Sequence, residues 1–157
     1  MSSSCADRPA GAAAPGPQLN RAERLRAAVE RDGPTCVWCS RVFDELIRPT
    51  TEHLVPRVKG GPSWLENEVA ACRRCNSERG HEGPAAWLQE CRGRGWAPDT
   101  ERVVRMLWQL SGAIEERGGQ RRVRPYLAHQ LRRLGQPNNG KRSARAPSSR
   151  RSSSPSF

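Results

Sequence analysis

Thr51-Glu52-His53-Leu54-Val55-Pro56 is followed by Gly60-Gly61-Pro62, then Asn67, then Cys72-Arg73-Arg74-Cys75-Asn76. A second cysteine pair, Cys36-Val37-Trp38-Cys39, precedes them all. Two C-x-x-C turns frame the polar residues, with residues 40–71 between the pairs. Such a turn presents two sulfurs to one ion, and two turns complete the four thiolates of a closed tetrahedral zinc site. A redox dithiol, plain buried cysteines and a rubredoxin-like iron site are the alternatives, and two pairs in one frame favour zinc. Cys5 and Cys91 read as spare thiols.

The residues inside the frame are one carboxylate, one imidazole and two amides. Phosphodiester hydrolysis needs a base to activate water and a cation to neutralise charge on the phosphate and leaving oxygen. His53 is the candidate base. Glu52 and Asn76 are oxygen donors, suited to Mg²⁺ rather than to zinc. Taken singly, His53 is also a structural histidine, and Asn67 and Asn76 are also cap or turn residues. The catalytic reading rests on their joint spacing within the frame.

Composition agrees with an anionic partner. The 157 residues hold 27 Lys+Arg against 16 Asp+Glu, for a net charge of +11. Nucleic acid is the commonest partner of such a chain, and a membrane surface is the rival. No apolar run approaches the ~20 residues of a membrane-spanning helix. The first residues carry no basic patch leading into an apolar core, so a secretory signal is not expected and the reducing cytoplasm is. Only 35% of residues are hydrophobic and 5% aromatic, a thin core that calls for a metal staple.

Along the chain, residues 1–19 are expected to be disordered, and residues 136–157 to form a disordered basic tail. Between them, 20–135 reads as one domain, with a motif core at 33–81 and a helical extension at 82–135. Asn20 predicts a helix cap for roughly 21–31. Strands are expected at 42–48 and 51–56, and a helix at 67–79 closed by Gly80. Three more helices are expected near Pro84, after Asp99 and near Pro125. The fold class is therefore α+β.

Glu52-His53-Leu54-Val55-Pro56, Gly60-Gly61, Asn67 and Cys72-x-x-Cys75-Asn76-x-x-Arg79-Gly80 resemble the HNH endonuclease motif, in its variant with two flanking C-x-x-C pairs. The resemblance covers about residues 33–81. It implies a ββα-metal core stapled by structural zinc on Cys36, Cys39, Cys72 and Cys75. It implies His53 as general base, Asn67 as the residue that orders the loop around it, and Asn76 as a ligand of a catalytic divalent metal, Mg²⁺ or another. The acidic residue before the base also binds that metal; Asp is more usual there, and Glu52 is one methylene longer. The third letter of the motif is Asn rather than His. Arg73, Arg74 and Arg79 are expected to hold phosphates from the helix beside the metal. His81, just past the motif, reads as exposed, with an extra metal ligand or a phosphate contact as the alternatives. The implied activity is metal-dependent hydrolysis of nucleic acid, DNA ahead of RNA, leaving 3′-hydroxyl and 5′-phosphate ends. A non-catalytic zinc module that binds nucleic acid is the alternative.

Overall fold

The computed structural model describes residues 18–135. The expected tails lie outside the described residues except for Gln18 and Leu19, and so does Cys5. The order of elements is α1 (Arg21–Asp32), β1 (Pro49–His53), β2 (Glu68–Cys72), α2 (Arg73–Arg79), α3 (Pro84–Gly93), α4 (Thr100–Arg117) and α5 (Val123–Gly135). Two single 3₁₀ turns, Arg57–Lys59 and Leu65–Asn67, lie in the connection between the strands. This is the expected α+β class, with a ββα core flanked by helices on either side in the chain.

Local chemistry explains the helix boundaries. Asn20 accepts from the Glu23 backbone N–H while the Glu23 side chain takes the Asn20 N–H, a reciprocal capping box that starts α1. Asp99 caps α4 by accepting from Arg102 N. Pro84 occupies the first turn of α3, where its missing N–H costs nothing.

The strands depart from expectation. Residues 42–48 form no strand; Asp44 Oδ1 instead accepts from the N–H groups of Leu46 and Ile47, folding the segment into a side-chain-capped turn with Leu46 exposed. The first strand begins at Pro49, where a residue without an N–H is tolerated because it opens the strand. The second is Glu68–Cys72, a stretch expected to be the start of a helix. All five of its residues are buried, so the period-2 alternation that marks a half-exposed strand is absent from its sequence. The pair is antiparallel, with Glu52 opposite Val69 and His53 opposite Glu68.

The cysteine frame ties this hairpin to the core. Val37 N–H donates to Ala70 O, and Asp99 N–H donates to Val37 O, so the first knuckle bridges β2 and the start of α4. Val37, Trp38, Leu54, Val55, Val69, Trp87, Leu88, Met106, Leu107, Leu110 and Ile114 form one buried cluster continuous with Cys36, Cys72 and Cys75. Helix α1 covers the other side of the hairpin. Arg31 donates to the carbonyls of Leu65 and Glu68 and locks it there. No helix among the described residues is long and apolar enough to cross a membrane.

Candidate active site and metal centre

The four frame cysteines come together. One sulfur from each of Cys36, Cys39, Cys72 and Cys75 lies within 4.8 Å of the others, and Cys39 Sγ is 3.9 Å from Cys72 Sγ. A tetrahedral ion with ~2.3 Å bonds holds its sulfurs ~3.8 Å apart, so the quartet fits zinc. The surroundings favour thiolates. Cys72 N–H donates to Cys36 Sγ at 3.3 Å, and Arg41 reaches Cys39 Sγ at 3.4 Å and Cys72 Sγ at 3.2 Å. Hydrogen bonding from Cys75 outweighs burial and holds the Cys36 thiol down to about 5, while the same contact pushes Cys75 up. Cys91 is buried outside the quartet, as a spare thiol should be, and burial raises it to about 12.

Asn67 braces the loop that follows β1. It is fully buried: Val55 N–H donates to its Oδ1 at 2.8 Å, and its Nδ2 donates to Val55 O at 3.0 Å and Pro62 O at 2.9 Å. All three bonds are to backbone, which makes Asn67 a positioning residue. The loop passes so close that a Cβ on Gly61 would meet Val55 O at 1.8 Å and Asn67 Nδ2 at 2.9 Å. Only glycine allows this approach.

Side chains of adjacent strand residues leave on opposite faces, and Glu52 and His53 do so. Glu52 turns toward α2. Its Oε1 accepts from Arg79 Nη1 at 2.7 Å, and its Oε2 is buried with no partner among the described residues. Burial pushes the Glu52 carboxyl up and the Arg79 guanidinium down, each countered in part by the other's charge. Asn76 lies on the same side and donates its Nδ2 to Thr50 Oγ1 and Thr51 O, which leaves its side-chain oxygen available. An orphaned carboxylate oxygen and an amide oxygen are donors that fit a hard divalent cation.

His53 turns instead toward α1. Its Nε2 lies 3.2 Å from Glu68 Oε1 and 3.3 Å from Ser63 Oγ. The ring borders a cleft of about 220 Å³ lined by Arg21, Arg24, Thr51, Arg57, Ser63 and Glu68. Glu68 is fully buried, and its Oε2 accepts from Arg24 Nε at 2.8 Å. Burial pushes its carboxyl up, but the neighbouring His53 ring and Arg24 guanidinium outweigh that and hold it below the usual range.

The arginines sort differently from expectation. Arg79 is buried, donates to Glu52 and to the carbonyls of His53 and Leu54, and lies over the Trp38 ring at 5.0 Å. The three bonds from its Nη1 and Nη2 run to the hairpin, so it holds the hairpin to α2 rather than facing a phosphate. Arg73 and Arg74 are exposed, the latter stacked on Trp96 at 4.3 Å. His81 is exposed. Glu68, Ser63, Arg41 and the Arg21, Arg24 and Arg57 set were not singled out from the sequence. Glu68 left one signal, an acid opening an otherwise apolar Val-Ala-Ala-Cys run.

The model of the HNH endonuclease family matches residues 36–91. Over this stretch the chain is similar to HNH endonucleases. The match spans both cysteine pairs, the Glu52-His53 step, Asn67 and Asn76, and with them the hairpin, α2 and most of α3. No curated protein matches the chain. Among solved structures, the chain aligns with a Type II-C Cas9 enzyme from Actinomyces naeslundii at 20% identity and a TM-score of 0.44. That alignment covers 76% of this chain and 11% of the Cas9 enzyme.

Proposed function

We propose that this protein is a metal-dependent endonuclease that hydrolyses phosphodiester bonds of nucleic acid, DNA ahead of RNA. One observation carries the reading: within the HNH segment, His53 borders a cleft lined by Arg21, Arg24 and Arg57. Three guanidinium groups against one buried carboxylate leave the cleft cationic, the charge a phosphodiester requires.

In this reading His53 takes a proton from a water molecule, and the hydroxide oxygen forms a new bond to phosphorus. The bond from phosphorus to the 3′ oxygen breaks, that oxygen takes a proton from solvent to become a 3′-hydroxyl, and the other product carries a 5′-phosphate. Arg21 and Arg57 hold the phosphate oxygens, while Arg73 and Arg74 contact the backbone further along without reading sequence. Asn67 keeps the Val55–Pro62 loop beside the base. Glu52 and Asn76 would hold the divalent cation, which when bound supplies neutralisation of the charge that develops on the phosphate and leaving oxygen. Zinc on the cysteine quartet is structural.

A zinc-stapled module that binds nucleic acid without cutting it is the second reading. It is favoured by the divergence of Glu52 and His53 onto opposite faces of β1. Supercoiled plasmid, incubated with and without Mg²⁺, separates the two. The nuclease reading expects Mg²⁺-dependent nicking that falls ~10²–10⁴-fold in His53→Ala, with zinc content and DNA affinity retained. Binding without cleavage across Mg²⁺, Mn²⁺ and Zn²⁺, on duplex, single strand and RNA, would establish the second.

A further inference from the structure

We propose that Glu68 is the positioning residue of the His53 base: its carboxylate claims the Nε2 proton and leaves Nδ1 as the nitrogen that takes the proton from water. The inference rests on the nuclease reading and adds to it a residue and an atom.

The register places the two side chains together. His53 and Glu68 are direct partners across β1 and β2, so they share a face of the hairpin. Glu68 Oε1 is 3.2 Å from His53 Nε2, and Glu68 is wholly shielded from solvent. The approach is close in distance but off the line of a hydrogen bond, so Oε1 is a buried carboxylate oxygen without an aligned donor. Such an oxygen is costly unless something donates to it. Arg24 occupies the other oxygen, and the His53 ring is the group within reach of this one.

The tautomer follows from the donor inventory. An ionised carboxylate has no proton to give. With the ring proton on Nδ1, the lone pair of Nε2 would face the Glu68 oxygen, two acceptors against each other. With the proton on Nε2, the ring turns a donor rather than a lone pair toward the carboxylate, Ser63 Oγ at 3.3 Å is a second acceptor, and Nδ1 keeps its lone pair. When Nδ1 takes a proton from water, the imidazolium that forms sits beside a buried negative charge. The same carboxylate thus orients the ring before the proton moves and stabilises it afterwards. Arg24, by holding Oε2, keeps Glu68 charged and fixed to α1.

The test uses the full chain, zinc-loaded, and the variants Glu68→Gln and His53→Ala. Long-range ¹H–¹⁵N spectra of the neutral imidazoles need no substrate and only three histidines to assign. His53 is expected as the Nε2–H tautomer in the wild type and as a mixture or as Nδ1–H in Glu68→Gln. With nicked plasmid as readout, Glu68→Gln should lower kcat ~10-fold or more, short of the ~10²–10⁴ of removing the base. KM should stay within about twofold, since Glu68 touches no phosphate in this scheme. Added to His53→Ala, the substitution should cost nothing further, because it acts only through that ring. Arg24→Gln together with Glu68→Gln removes the stranded cation and keeps the fold available for the same measurements. An unchanged tautomer, or losses that multiply in the double variant, would overturn the proposal. A wild type that never cuts would overturn the nuclease reading instead, and the tautomer would still decide whether Glu68 holds the ring.

Discussion

Replacing Arg79 with Met should unfold the hairpin rather than weaken a grip on nucleic acid. The guanidinium is buried, makes bonds of 2.7–2.8 Å to Glu52, His53 O and Leu54 O, and covers the Trp38 ring. Methionine fills much of the volume but strands the Glu52 carboxylate and two carbonyls. Removing one partner of a buried ion pair costs about 3–5 kcal/mol. A domain of this size has only about 5–15 kcal/mol to lose. At a urea slope of about 2 kcal/mol per M, a loss of about 4 kcal/mol lowers the midpoint by about 2 M. Urea titration at saturating zinc, followed by circular dichroism and by the summed fluorescence of the five tryptophans, measures this. Glu52→Gln added to Arg79→Met should recover part of the loss, because no unpaired charge then remains buried. An Arg79→Met protein within about 0.5 kcal/mol of wild type but with weaker DNA affinity would refute this reasoning and return Arg79 to the phosphate-contact role.

Gly61→Ala forces a methyl group onto the Val55 carbonyl, 1.8 Å from the new Cβ, where backbone and not a flexible side chain must yield. The cost should exceed the ~1–3 kcal/mol of ordinary overpacking, visible as a lower melting temperature together with slower cleavage; an unchanged melting temperature would contradict the loop geometry. One zinc per chain is expected by elemental analysis, lost with Cys75→Ser. Structural zinc contributes roughly 10–16 kcal/mol of apparent binding free energy, comparable with all of the stability available to such a domain. The metal-free chain should therefore show a collapsed circular dichroism signal, and a chain that folds normally without its four cysteines would exclude the staple.

Much of this fold was legible where chemistry is local. The Asn20 and Asp99 caps and the Pro84 start read directly, because each depends on residues within one turn. The cysteine quartet read from spacing alone. The strands did not: Val42–Arg48 looks like a strand until Asp44 captures two N–H groups, and Glu68–Cys72 looks like the start of a helix because burial on both faces erases alternation. In the site, Gly60-Gly61 marked the loop that Asn67 braces. Arg79 was not legible, because an arginine beside an exposed helix face and one turned inward share the same sequence. Glu68 was invisible as a partner of His53 until the strand register paired them.

The Arg24–Glu68 ion pair bears on where the working unit of this protein begins. The family match starts at residue 36, yet the buried Glu68 carboxylate inside it, beside His53, is ion-paired from residue 24, on a helix outside it. Arg31 adds two more bonds from that helix to Leu65 O and Glu68 O. A cassette excised at the homology boundary and grafted elsewhere would carry its motif intact but bring a bare, uncompensated acid to the host. Modularity here follows ion pairing rather than sequence similarity, and the smallest transplantable piece starts at the Asn20 cap.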